Sequence, residues 1–243
     1  MDLLGDLAPT GSLRASINLG NPVLAQGTKE APSGVTVDIA RELGRRLGVP
    51  VELACFPAAR ESFEALSQGQ ADICFLAVEP AREEVVAFTA PYVVIEGVFV
   101  VPDGSTMRSP ADVDQPGVRI GVNEGSAYDL FLTRTLTHAQ LVRTDNGLFT
   151  FSDEQLEAAA GVRQSIEAFV ASHPGVRVIE PRFMEIQQAV GTSRARDAET
   201  VSFLRRFVEE LKADGFIADA LRRAGQQGAS VAPAAGTGPL PER

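Results

Sequence analysis

Apolar and polar positions run along this chain in two rhythms. The stretch Ile73 to Val78 is wholly apolar, too short for a helix, opened by Asp72 and closed by Glu79 and Pro80, so it predicts a buried strand. Leu13 to Asn18 predicts a first strand, and Val49 to Phe56 alternates like a second. Between them Val37, Ile39, Ala40, Leu43 and Leu47 recur at the helical period, with Gly48 as a C-terminal cap. A short helix over Ser62 to Leu66 precedes the apolar strand. The order β-α-β-α-β implies a parallel sheet with right-handed crossovers.

Further on, the pattern predicts an apolar run at Ile95 to Val101 and a strand at Val118 to Val122. A helix follows from Ser126 to about Leu136, then a strand at Gln140 to Arg143 and a helix around Asp153 to Glu157. Next come a strand at Ala158 to Val162, a helix from Ser165 to Ser172 and a strand at Val176 to Ile179. Val201, Phe203, Leu204, Phe207, Val208 and Leu211 mark an amphipathic helix over Asp197 to Ala213, before a last short helix ending at Gly225. The loop from Gly20 to Gly34 is long enough to carry function. Residues 227 to 243, rich in Ala, Gly and Pro, are expected to stay disordered for want of apolar surface to bury.

A length of 243 residues fits one large or two small domains. The net charge of -10, with no basic stripe, argues against nucleic acid as a partner. No run of 18 apolar residues is present to span a membrane. Cys55 and Cys74 sit in apolar segments, and His138 and His173 stand apart from other ligand types, so no metal site is indicated. No motif asks for a cofactor, and no Gly-x-Ser-x-Gly, phosphate loop or Cys/His pair offers catalysis.

The chemistry that remains is a cation past a strand end. Small ligands bind outside the carboxyl ends of strands in open α/β sheets, and arginine's planar fork grips a carboxylate with two parallel hydrogen bonds. Arg82 stands there. The alternative on spacing alone is a surface turn in which Arg82 pairs with Glu79 or Glu83. Gly125, Ser126 and Ala127 open a helix whose free N–H groups and dipole favour an anion; the alternative is plain capping by Ser126.

Several segments, taken together, resemble bacterial solute-binding proteins of the polar amino-acid ABC transporter type, family 3. Asp72, Arg82, Phe88, Thr89, Pro91 and Tyr92 follow that family's order from strand to ligand-binding arginine to a Phe-Ser/Thr-x-Pro-Tyr segment. Leu13 to Ile17 is similar to its first strand, Gly34 to Ala40 to its Gly-x-x-x-Asp-Leu-Ala helix start, Glu64 to Asp72 to its approach to the strand, and Gly121 to Ser126 to its second-lobe Gly-Val segment. The resemblance covers roughly residues 11 to 225. It implies an α/β, two-lobed periplasmic-binding-protein type 2 fold, each lobe a mainly parallel sheet flanked by helices, joined by two hinge crossings. Lobe 1 would comprise residues 1–96 and 190–226, and lobe 2 residues 97–189, with the crossings at Ile95 to Val101 and Ile186 to Gly191.

The function implied is a monomeric substrate-binding protein that captures a small carboxylate-bearing solute, an amino acid or related organic acid, by hinge closure and delivers it to an ABC permease. Arg82 and the Gly125-Ser126-Ala127 helix start would hold the carboxylate. Asn21 falls where the family has an aromatic, Ala77 lies in the family's hydroxyl-rich stretch, and Val162 or Arg163 falls where an acid holds an α-ammonium. A buried ammonium without a carboxylate is costly, so an ordinary α-amino acid fits poorly, while Arg163, if it faces the ligand, favours a second negative group. Asn18, Asn21, Glu79 and Gln164 could add polar contacts, Phe56 an apolar wall, and Tyr128 either a lid over the ligand or a core residue. The other readings are an enzyme on this fold, similar to cyclohexadienyl dehydratases, with Glu79 or Glu185 as its acid, and a ligand sensor. The compartment would be periplasmic if a leader had been removed; the N-terminus as written has no basic n-region, which points to the cytoplasm.

Overall fold

The computed structural model describes residues 2–226 and 228–236. The chain folds into two compact units, one built from residues up to Val94 together with those from Gln187 on, the other from Ile95–Ile186. In chain order the first unit contains helix α1 (Leu3–Leu7), strands β1 (Leu13–Asn18), β2 (Gln26–Gly27) and β3 (Pro32–Ser33), helix α2 (Val35–Leu47), strand β4 (Val51–Phe56), helix α3 (Ala59–Ser67), strand β5 (Ile73–Ala77) and helix α4 (Pro80–Glu83). Strand β6 (Val86–Pro102) then runs out of it. The second unit follows with β7 (Arg119–Asn123), α5 (Ala127–Thr135), β8 (Gln140–Thr144), α6 (Gly147–Asp153), β9 (Ala158–Val162) and α7 (Arg163–Ser172). Strand β10 (Val176–Ser193) leads back, and the first unit is completed by α8 (Ala198–Ala213), α9 (Phe216–Arg223) and β11 (Ser230–Val231).

In the first unit β1 pairs in parallel with β4 on one side and β5 on the other, and the later part of β10 adds antiparallel to β5 through Gln188 to Thr192. All five residues of β5 are buried, as an apolar run in a sheet covered on both faces requires. In α2 the apolar positions Val35, Ile39, Ala40 and Leu43 face the core, and Gly48 ends the helix in the left-handed region at φ 71°, its N–H donating to Arg45 and Gly44 carbonyls. The second unit repeats the scheme. Parallel β8, β7 and β9 are joined by β6, antiparallel to β9.

Four expectations change. The loop Gly20 to Gly34 holds a two-residue ladder, Gln26 and Gly27 against Ser33 and Pro32. The helix expected around Asp153 to Glu157 lies earlier, because the Asn146 side chain caps it by accepting from Phe149 N–H at 3.1 Å and Gln155, at φ 48°, cannot continue it. The two expected crossings are not separate short strands: each is part of one long strand, β6 or β10, that runs on through a proline, Pro91 or Pro181. Finally, the expected disordered tail is ordered as far as it is described. Ser230 and Val231 pair with Val94 and Val93, and Ala232 is buried. Residues 227 and 237–243 of that tail lie outside the described residues.

Candidate functional site

Because β1, β4 and β5 are parallel, their carboxyl ends share one edge of the first unit's sheet, and that edge gathers six of the expected ligand residues. Asn18 and Phe56 are register partners at the ends of β1 and β4, and Ala77 ends β5. The two asparagines shape the loop that leaves β1. Asn18 Oδ1 accepts from Gly20 N–H at 2.9 Å, and buried Asn21 accepts from Val23 N–H through its side chain and from Leu24 and Ala25 N–H through its carbonyl. Gly20 is needed there, since a Cβ would lie 2.3 Å from the Pro57 carbonyl oxygen.

Glu79 is the N-cap residue of α4, with Pro80 at the first helical position, and its carbonyl accepts from the Arg82 and Glu83 amides. Arg82 is 3% exposed, and its Nη1 donates to the Ala77 carbonyl at 3.0 Å. The surface turn in water is therefore not what the chain forms. Burial pulls the Arg82 pKa down to about 10, against the attraction of Glu79, so the guanidinium stays charged at neutral pH.

The second unit gathers the remaining candidates at the carboxyl ends of β7 and β9, but there the chain's own acids hold them. Gly125, at φ 70°, turns into α5, where Ser126 caps the helix by accepting from Asp129 N–H at 3.1 Å. The buried Asp129 carboxylate accepts from Gly125 N–H at 2.8 Å and from Arg143 Nε at 2.9 Å. An internal carboxylate thus occupies the helix start that the sequence offers to a ligand. Ala127 and Tyr128 are buried, and burial pushes the Tyr128 hydroxyl up to about 12 despite hydrogen bonds with Ser126 and the Asn123 backbone, the environment of a core tyrosine.

Arg163 opens α7, but its Nε donates to Glu96 at 2.5 Å and its Nη atoms to Glu180 at 2.5 and 2.8 Å, with Glu167 3.5 Å away. These carboxylates raise its pKa, Glu180 first. With three acids around one guanidinium, no excess positive charge is left for a second anionic group, contrary to the expectation for this residue. Glu185 likewise pairs with Arg182.

A feature not anticipated is an arginine–carboxylate clamp repeated in both units. Asp72, fully buried just ahead of β5, accepts from the Arg14 amide at 3.0 Å and from its Nε and Nη2 at 3.0 and 2.8 Å, while Arg14 Nη1 donates to the Gly69 carbonyl. Glu157, just ahead of β9, accepts from the Arg119 amide, Nε and Nη2, each at 2.9 Å, while Arg119 Nη2 also donates to the Gln155 carbonyl. In each case the arginine lies near the start of a central strand and the acid precedes its parallel neighbour. The signal lay in the sequence as an Arg in the opening of one strand and an acid one residue before another, yet only the strand order pairs them. Asp72 differs in taking a second guanidinium, Arg196 Nη2, at 2.8 Å.

Open parallel sheets flanked by helices, with the chain leaving and returning through two long strands, are the type 2 periplasmic binding fold, and solved structures agree. A mutant of ArgBP from T. maritima aligns with a TM-score of 0.77 at 21% identity, over 93% of this chain and 100% of that one. An ancestral amino acid-binding protein, a precursor of cyclohexadienyl dehydratase, aligns at 0.73 and 20% identity over 90% and 98%. The amino acid ABC transporter substrate-binding protein AbpA from Streptococcus pneumoniae, bound to L-arginine, aligns at 0.73 and 19% identity over 90% and 96%. No curated protein sequence matches the chain. The chain belongs to the bacterial extracellular solute-binding proteins, family 3, whose family model matches residues 16–226. Among the described residues no helix is long and apolar enough to cross a membrane.

Proposed function

We propose that this protein is the solute-capturing component of an ABC transporter: it binds a small carboxylate-bearing solute, an amino acid or related organic acid, and passes it to a permease. The observation that carries the reading is the position of Arg82, a buried cation at the carboxyl end of a central parallel strand, in a chain whose family binds solutes. A solute carboxylate reaching Arg82 meets a guanidinium already stripped of most of its water, so little further desolvation of the cation opposes binding. Ala77, Glu79, Asn18, Asn21 and Phe56 stand along the same sheet edge and would set the fit. Arg163 and the Gly125–Ser126 amide and hydroxyl have no part in this proposal, since Glu96, Glu180 and Asp129 already bind them.

The relative that precedes a dehydratase favours one second reading, a lyase on this fold with Glu79 as its acid. One experiment separates the two. The purified protein is screened by thermal shift against amino acids, dicarboxylates, aromatic acids and prephenate-like compounds, with Arg82→Ala and Arg82→Lys alongside. A solute at about 100 times its Kd stabilises the native state by roughly 2.7 kcal/mol, a clear shift. Binding of one carboxylate class, lost in Arg82→Ala, weakened in Arg82→Lys and with the solute recovered unchanged, supports capture. Recovery of an altered solute supports the lyase, and equal shifts in wild type and both variants remove Arg82 from the site.

A further inference from the structure

The last described residues of the chain do something that the solute-binding reading does not require. Ser230 and Val231 add as an antiparallel strand to Val94 and Val93 of β6, and the Ala232 amide donates to the Tyr92 carbonyl at 3.0 Å. Tyr92 and Val93 are fully buried, so β6 presents an apolar stretch at the place where β11 covers it. An uncovered apolar strand edge pairs with other chains, which makes such a cover useful in itself.

The cover is fastened by a single ammonium. Lys212, on α8, has a side chain only 5% exposed; its Nζ donates to the Pro91 carbonyl of β6 at 3.1 Å and to the Pro233 carbonyl of the tail at 2.9 Å, and it pairs with Glu209 at 2.6 Å. The two carbonyls accept hydrogen bonds from the ammonium, and the Glu209 carboxylate balances its charge. Glu209 in turn accepts from the Ala235 amide at 3.1 Å. The tail and β6 are thus tied to each other and to α8 through one buried charge, just past the Val93–Val231 end of the short ladder.

We propose that residues 228–236 are a strap latched by Lys212, which opens and closes as a local unit and thereby governs how firmly β6 is held at Pro91 to Val94, the segment through which the chain leaves the first unit. The latch acts by geometry and charge: a two-residue ladder is too short to persist alone, and charge-assisted bonds from Lys212 to both chains at one end of it supply what the ladder lacks. This holds whether or not the protein binds the solute proposed above.

Hydrogen exchange read by mass spectrometry tests it on the full chain, comparing wild type with Lys212→Met, which keeps the stem and removes the ammonium, and Ala232→Pro, which removes the amide that donates to Tyr92 without touching Lys212. The result expected is exchange at least roughly tenfold faster in peptides covering Tyr92 to Val94 and residues 228–236 in both variants, with the β5 peptide Ile73 to Ala77 unchanged. Unchanged exchange at Tyr92 to Val94 in both variants overturns the strap. So does faster exchange throughout the first unit in Ala232→Pro, which would make the tail part of one cooperative core. If Lys212→Met does not fold, Ala232→Pro decides alone.

Discussion

Removing the Asp72 carboxylate should cost the first unit about 3 kcal/mol, while removing Glu157, its counterpart in the same bonding pattern, should cost the second unit less than about 1 kcal/mol. The difference follows from burial. Asp72 is 0% exposed and receives Arg14 through three bonds and Arg196 through a fourth; the two arginine side chains are 23% and 16% exposed. Breaking a buried pair by deleting one partner typically costs about 3–5 kcal/mol, because the charge left behind is neither paired nor fully hydrated. Here the stranded guanidiniums can reach some water, which places Asp72→Ala near the low end. Glu157 and Arg119 are 37% and 39% exposed, so solvent already screens them and can replace each partner. Asp72→Asn, which keeps an acceptor but loses the charge, should fall between. The assay is urea unfolding followed by pulsed hydrogen exchange, with the β5 and β9 peptides reporting the midpoint of each unit separately. A loss below about 1 kcal/mol for Asp72→Ala, or equal losses for the two variants in their own units, would refute the reasoning that burial and not bonding pattern sets the value.

Three other outcomes are expected. The Tyr92 hydroxyl is buried and has no hydrogen-bond partner among the described residues, so Tyr92→Phe should raise stability by about 1 kcal/mol, roughly 2–4 °C in Tm; a fall of that size would show that the hydroxyl is satisfied. The Glu42 carboxyl is held at about 2 against its ordinary 4.5, by Arg45 first and then Arg46. Being depressed in the folded state, it contributes stability that is present above its ordinary value and is lost as pH falls toward 2, so the difference between wild type and Glu42→Gln should be constant above pH ~5 and vanish near pH ~2. A difference that grows on acidification would reverse the sign. Gly125→Ala forces an alanine to φ 70° and should cost about 1–2 kcal/mol by denaturant unfolding, whereas an unchanged midpoint would mean that the turn relaxes.

Much of the fold was legible in the chain because it rests on local chemistry. Strands β1 and β9 begin and end where the apolar runs place them, and Gly48, Ser126 and Asp197 mark helix boundaries as cap residues do. Longer strands were not legible, since Pro91 and Pro181 look like breaks, and whether a strand tolerates a proline depends on which neighbour its missing N–H would have faced. The α6 shift shows the converse: Asn146 and Gly147 were a readable start, overlooked in favour of the acids that follow them.

For the site, the sequence by itself determined where each candidate stands relative to its own strand: Arg82 past β5, Ser126 past β7, Arg163 past β9. Strand ends are set by local apolar pattern, so this much needs no partner. Which of those groups is spent inside the protein was decided only by tertiary structure. Glu96 and Glu180 on Arg163, and Arg14 and Arg196 on Asp72, are pairings across 17 to 124 positions of chain, whereas Asp129 on Gly125 is a local contact within one helix start. An ionic side chain reaches whatever acceptor the packing brings within about 3 Å, and strand order and helix placement, not sequence spacing, choose that acceptor.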